Sequence, residues 1–276
     1  MAALVSNVVP EADLAATLDG SVPLAPAPQR APPADRQEMP DVETSSERYT
    51  LRFRGASGAY LLSVQEAGII KLLDNGAVLP GRMVLDVGGG HMQLAGPLTR
   101  RGAKVTVFGS EAACGRRWSA SALAGQVQFL AGSLLSMPMA DQQFEVVVCI
   151  RLLSHMEDWR ALVAELCRVA RHSIVIDYPT LASLNALSLF AFPLKRAIET
   201  NTRTYRSFRD REVEEAFAQY GFLPVASYRQ FVLPMAAHRL LGRVGLLRWV
   251  EAGLRAIGVT QLIGNPVLLR LDRVKT

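Results

Sequence analysis

The stretch Met83-Val84-Leu85-Asp86-Val87-Gly88-Gly89-Gly90-His91-Met92 constrains this chain more than any other. A short apolar run ends abruptly in three glycines, and an Ala/Leu-rich segment then continues to Gly102. A run of that length bounded by turn residues reads as a buried strand, and the glycines let the backbone reverse sharply and approach a ligand closely. The helix start that follows offers unpaired N–H groups and the positive end of a dipole. Similar brief apolar runs recur at Lys104–Phe108, Val127–Leu130, Phe144–Ile150 and Ser173–Ile176, with helical stretches between them, notably Trp159–Ala170. That alternation predicts a parallel sheet covered on both faces. Beyond Pro179 the rhythm shifts to helical stretches near Ser183–Thr200 and Asp210–Tyr220, a Gly221-Phe222 turn into Val225–Leu233, and a last strand candidate at Pro266–Leu271. The late pair adds an antiparallel edge. The expected fold is α/β: a doubly wound, mainly parallel seven-stranded sheet, with a helical N-terminal cap and a helical insert before the last strand.

Composition sets the boundaries. Residues 1–45 hold seven of the fifteen prolines among Ala, Asp, Glu and Ser, too little apolar surface to offset ordering entropy, so they are expected to form a disordered tail. Residues 46–80 form the cap, 81–178 the cofactor half and 179–276 the acceptor side with the edge strands. The formal charge of +5 conceals an acidic tail joined to a basic body, which would suit phosphates or an anionic surface. Cys114, Cys149 and Cys167 have no CxxC spacing and read as small reduced hydrophobes. No uninterrupted apolar run approaches the roughly 18 residues of a membrane span, and Met1–Pro10 lacks the basic region of a secretory signal. A cytoplasmic location is the expectation.

In open α/β sheets ligands bind beyond the carboxyl ends of the strands, so chemistry is sought just after each one. A dinucleotide fingerprint needs glycine at position 93, where this chain has Gln93, which counts against a nicotinamide enzyme. Asp86, two positions before the first glycine, can instead accept hydrogen bonds from a cationic amino group.

Taken in order, Val84-Leu85-Asp86-Val87-Gly88-Gly89-Gly90, Ser136–Val147 (Ser-Met-Pro-Met-Ala-Asp-Gln-Gln-Phe-Glu-Val-Val), Leu153–Asp158 and Glu165–Val169 resemble a class I S-adenosylmethionine-dependent methyltransferase, most similar to the ubiquinone/menaquinone-biosynthesis type. The resemblance spans about Gly81–Tyr178 and implies a Rossmann-like fold with S-adenosyl-L-methionine as cofactor. It assigns Asp86, Gly88 and Gly90 to the methionyl part, with Met92 where the family has a third glycine. The family's ribose-binding acid falls on Gly109, so Ser110 and Glu111 are carried as its neighbours, and Glu111 is either the substitute carboxylate or a solvated helix-start acid. The adenine-contacting Gly-Asp falls on Gly132-Ser133. Arg151 and His155 lie where the family lines the cleft between cofactor and acceptor.

His155, with an ordinary pKa near 6.5, is the candidate general base for methylation, or else a capping or core histidine. Tyr178, expected to line the acceptor side, is the alternative catalytic candidate for that base. Asn201, Arg203 and Tyr205 form a polar cluster between two helices, a candidate acceptor subsite or a solvated loop. The apolar insert, with Leu240, Leu241, Leu246, Leu247 and Trp249, is expected to cover a hydrophobic acceptor pocket or pack on a second subunit. No metal-ligand spacing and no interleaved basic and aromatic nucleic-acid surface is present in the sequence. The reading is therefore methyl transfer to a small hydrophobic or amphipathic acceptor, a lipid-like, isoprenoid or polyketide metabolite of secondary metabolism. Peripheral membrane contact and a homodimer are compatible with it. A methyltransferase-fold scaffold that has lost catalysis is the alternative, and an NAD(P)-dependent oxidoreductase a weaker one.

Overall fold

A computed structural model describes residues 38–74, 79–119, 121, 123, 125–183, 205–234 and 244–274. Seven strands form one sheet: β1 (Met83–Val87), β2 (Lys104–Gly109), β3 (Gln128–Ala131), β4 (Phe144–Cys149), β5 (Ala170–Tyr178), β6 (Phe222–Phe231) and β7 (Asn265–Arg273), in the order β3-β2-β1-β4-β5-β7-β6. β1 through β5 run parallel, and β7 lies antiparallel between β5 and β6. β6 therefore points the same way as the parallel strands, and its carboxyl end reaches the same rim.

The helices are α1 (Pro40–Thr44), α2 (Glu47–Thr50), α3 (Gly55–Asp74), α4 (Ala95–Arg100), α5 (Arg116–Ser119), α6 (Trp159–Val169), α7 (Asp210–Ala218), α8 (Val244–Ala256) and α9 (Val259–Ile263). α6 begins where the Asp158 side chain accepts from the Ala161 N–H, one of the donors a helix start leaves unpaired. The central strands are buried on both faces, so their side chains alternate between two cores. Leu85, Val87, Ile174, Ile176 and Tyr178 pack against α6 and α7. Val84, Val107, Val148, Val175 and Leu268 pack against α3 and α4. By the same alternation Asp86 and Asp177 stand on the α3 face, at the carboxyl ends of strands that flank β4.

Two expectations change. Residues 38–45, given to the tail on their proline and acid content, belong to the fold: Asp41 is fully buried and Thr44 and Ser45 nearly so. Proline at the first position of α1 starts that helix, since its missing N–H has no partner to lose there. Part of the insert packs into the fold itself. Leu247 and Glu251 face inward, and Glu251 accepts from the N–H groups of Val232 (3.0 Å) and Leu233 (2.9 Å) at the end of β6. Leu246 and Trp249, the latter 80% exposed, stand on the outer surface. Leu240 and Leu241 lie outside the described residues, as does the helical stretch expected over 183–200 beyond residue 183. No described helix is long and apolar enough to cross a membrane.

Candidate active site

The turn after β1 is built as the glycines demand. Gly88 adopts φ +75, open to glycine at no steric penalty, and Gly89–His91 form a single 3-10 turn. A Cβ on Gly89 would lie 2.3 Å from the Asp86 carboxylate, and one on Gly90 only 2.1 Å from the Ser45 hydroxyl. Met92, in place of a third glycine, takes φ +64. Its side chain packs against the core on the α3 face instead of crowding the turn.

Beside the turn, β1, β4 and β5 deliver a carboxyl, a guanidinium and a carboxyl in a row. Burial pushes Asp86 up to about 7, partly offset by Arg151. Burial also pushes Asp177 up to about 6, offset by the Arg151 backbone N–H, the Arg151 charge and Gln65. Asp177 accepts from the Arg151 N–H at 2.5 Å and from Gln65 Nε2 at 3.0 Å. Arg151 itself has φ +60, a left-handed conformation rare outside glycine and concentrated at functional sites. Its guanidinium lies 5.2 Å from the Phe53 ring centroid. His91 is driven down to about 3 by burial, Arg151 and Arg117, so its imidazole is neutral throughout the physiological range.

The N-terminal segment crosses this rim as a strap that sequence reasoning missed. Glu38 accepts from the backbone N–H groups of Glu157 (2.6 Å) and Asp158 (2.9 Å), just ahead of α6. Asp41 Oδ2 accepts from the Ser110 N–H (2.7 Å) and the Cys114 thiol (3.4 Å) at the end of β2. Glu47 pairs with Arg117 at 2.6 Å, and Tyr49 and Phe53 meet the His91 ring edge-on at 6.1 and 5.5 Å. The signal was faint: Asp41 and Ser45 sit four apart, on one face of a helical turn, inside proline-rich sequence.

Most expected site residues gather at the rim. Ser110 is buried beside Asp41, while Glu111 is half-buried and its backbone carbonyl accepts from Cys114. The Gly132 N–H donates to the Gly109 carbonyl at 3.0 Å, and the Ser133 hydroxyl accepts from the Leu135 N–H at 3.3 Å. His155, in the 3-10 turn after β4, meets the Tyr205 ring at 5.6 Å with the ring planes tilted by 52°, so these two do meet. Tyr178 does not join them. It is 1% exposed, its ring lies edge-on to Phe208 at 6.2 Å in the core on the α6 face, and burial with neighbouring Asp210 pushes its hydroxyl far above the ordinary range. The alternation of β5 turns Asp177 to the cradle face and Tyr178 away from it. Asn201 and Arg203 lie outside the described residues. Arg206, near them in sequence, is pinned to Glu212 and lies over the Trp159 and Phe208 rings.

Around the turn, Asp41 Oδ1, Ser45 Oγ, both ring nitrogens of His91 and Arg151 Nη1 are buried and without a hydrogen-bond partner among the described residues. Buried polar groups are rarely left so, and five such atoms about one glycine turn fit a polar, charged ligand. The set also has the right chemistry for an amino-acid moiety, with a carboxyl for an ammonium and a guanidinium for a carboxylate.

A family model described as a methyltransferase domain matches residues 85–174, from the middle of β1 into β5. The chain is similar to a methyltransferase domain over that segment. No curated protein sequence matches the chain. Among solved structures, the fold resembles magnesium protoporphyrin IX methyltransferase from Synechocystis with bound S-adenosylhomocysteine (TM-score 0.56, 14% identity, 83% of this chain and 94% of that one). It also resembles geranyl diphosphate C-methyltransferase from Streptomyces coelicolor (TM-score 0.53, 18% identity, 77% and 76%). A third similar structure is the [4+2]-cyclase SpnF (TM-score 0.51, 15% identity, 75% and 80%). At these identities the likeness shows the fold, a seven-stranded methyltransferase-type sheet.

Proposed function

We propose that this chain binds S-adenosyl-L-methionine in the cradle and transfers its methyl group to a small hydrophobic or amphipathic acceptor. The observation that carries the reading is the convergence of the Gly88–Gly90 turn, Asp86 and Arg151 inside the segment matched as a methyltransferase domain. When bound, the cofactor supplies an electrophilic methyl on a sulfonium. Asp86 holds the amino group, the glycine turn admits the methionyl chain, Arg151 takes the carboxylate, and Ser110, Glu111, Gly132 and Ser133 border the adenosine. The protein then has to orient the acceptor in line and exclude water, which for well-oriented reactants is equivalent to effective molarities of about 10⁵ M or more.

On the acceptor side, His155, which lies next to Tyr205, would take a proton from an oxygen or carbon acceptor in this reading. An apolar acceptor such as an isoprenoid or polyketide suits the rim elements, α8 among them, and magnesium porphyrin and prenyl diphosphate acceptors of two fold neighbours are of that kind. The rival, a scaffold without catalysis, draws on Gly109 and Ser133 standing where the family resemblance expects acids. Isothermal titration with S-adenosylhomocysteine against NAD decides the cofactor. Micromolar binding of the first and none of the second is the expected result. No heat with S-adenosylhomocysteine would end the reading, and binding without turnover across a panel of acceptors would favour the scaffold.

A further inference from the structure

The end of β2 lacks a carboxylate of its own and shows why it cannot carry one. A Cβ on Gly109 would lie 2.8 Å from the Cys114 Cβ and 3.4 Å from Asp41 Oδ2. The space that a side chain at 109 would enter is already taken by Cys114 and by the Phe129 ring at 3.2 Å, with a carboxylate arriving from α1 in van der Waals contact beside them. That carboxylate is held firmly: Oδ2 accepts from the Ser110 N–H at 2.7 Å and from the Cys114 thiol at 3.4 Å. The thiol is a donor at neutral pH, because burial, with Asp41 next, raises its pKa. The second oxygen, Oδ1, is buried and has no partner among the described residues, and the whole residue has no exposed surface. A carboxylate oxygen removed from water and left unpaired is costly, which marks it as an acceptor for a donor the protein does not supply. The Ser45 hydroxyl, one helical turn on, is in the same condition over Gly90.

We propose that Asp41 supplies the carboxylate that grips a ribose hydroxyl of the S-adenosyl cofactor, delivered by the N-terminal helix α1 in place of a side chain at the end of β2. This rests on the cofactor reading above. It replaces Glu111 in that role: Glu111 begins the next turn from an extended backbone, φ −149, and it is the Asp41 carboxylate that borders Gly109, 3.4 Å from where a Cβ there would stand. It also ties cofactor affinity to residues 38–54, since the strap that carries Asp41 is docked by Glu38 on the start of α6 and by Glu47 on Arg117.

The test is a two-way cycle between residue and ligand by isothermal titration, with wild type and Asp41→Asn against S-adenosylhomocysteine and its 2′-deoxy and 3′-deoxy analogues. Asn keeps an oxygen for the Ser110 N–H, and matching apo melting curves confirm that the fold is intact. Losing one charge-assisted hydrogen bond weakens binding roughly 10- to 100-fold. Wild type should therefore bind one of the deoxy analogues at least about 10-fold more weakly than the parent, and the variant should bind both alike at that weaker affinity. The analogue arm needs no variant: a wild type indifferent to both ribose hydroxyls overturns the proposal. So does a variant that keeps wild-type discrimination, or one that binds more tightly, which would make Asp41 a plug. Wild type that binds no S-adenosylhomocysteine at all removes the cofactor reading and this proposal together, whereas normal wild-type binding with an unaltered variant removes only this one.

Discussion

The backbone N–H of Arg151 donates to Asp177 Oδ1 across 2.5 Å, tying the second residue beyond β4 to the end of β5. The bond holds Arg151 at φ +60, which costs a non-glycine residue roughly 1–2 kcal/mol. Asp177→Ala removes that acceptor and the partner of Gln65 Nε2 together. Two buried donors are left unpaired, at about 1–3 kcal/mol each. Urea unfolding should show a loss of about 3 kcal/mol with an unchanged m-value. A loss below about 0.5 kcal/mol would mean that the left-handed turn is held by something else.

The two raised carboxyls give binding and stability opposite dependences on pH. Asp86 rises from 3.8 to about 7 and Asp177 from 3.8 to about 6, so the folded protein holds both protons more tightly than the unfolded chain. Their contribution to stability is complete below about pH 4 and is lost as pH climbs through 6 and 7. A cationic amino group at Asp86 needs the carboxylate, so a proton must leave when the ligand binds below pH 7. S-adenosylhomocysteine affinity should rise about tenfold per unit up to pH 7 and then level off. Titrations at pH 6 in two buffers of different ionisation enthalpy should report about one proton released. Binding that neither varies with pH nor releases a proton removes Asp86 from the amino-group role.

Tyr178→Phe separates core from site. The hydroxyl sits in the core beside Asp210, with no exposure to the cradle. Removing it should lower stability by about 1 kcal/mol through the lost hydrogen bond and leave turnover within a factor of about two. A drop in kcat of a hundredfold with a normal melting temperature would return Tyr178 to the chemistry.

Met92→Gly tests whether the cradle is crowded. The left-handed backbone of Met92 favours glycine, but its side chain packs on the α3-face core. Cofactor affinity should stay within about threefold and the melting temperature should shift by only a few degrees, because relief of about 1 kcal/mol of backbone strain and loss of apolar packing oppose each other. Binding tightened tenfold would show the side chain entering the pocket.

What the sequence conveyed and what it hid follow from distance along the chain. The β1 turn, Asp86 and the strand rhythm were legible because each is a local pattern whose period or glycine content has one physical reading. The face of Tyr178 was not, since β5 is buried on both sides and its apolar run carries no alternation to tell one face from the other. Asp41 was hidden for a different reason. Its partner Ser110 lies 69 residues away, and the segment that brings them together has the composition of a linker up to Glu38, where side-chain caps on α6 dock it.

The base role proposed for His155 can be tested by the class of acceptor. The His155 ring lies tilted against Tyr205 at 5.6 Å, a contact that His155→Phe preserves while removing the atom that would accept a proton. General base catalysis contributes about 10²- to 10⁴-fold, so kcat for a phenolic or carbon acceptor should fall at least about a hundredfold while S-adenosylhomocysteine affinity stays within about threefold. An amine acceptor presented in its neutral form attacks the methyl without prior deprotonation, and its turnover should change little. Prenylated phenols and alkylamines of matched length, assayed side by side by methyl transfer from radiolabelled cofactor, separate the two. Equal losses on both, accompanied by weaker cofactor binding, would make His155 a support of the cradle, and no loss on either would place the proton acceptor elsewhere on the rim.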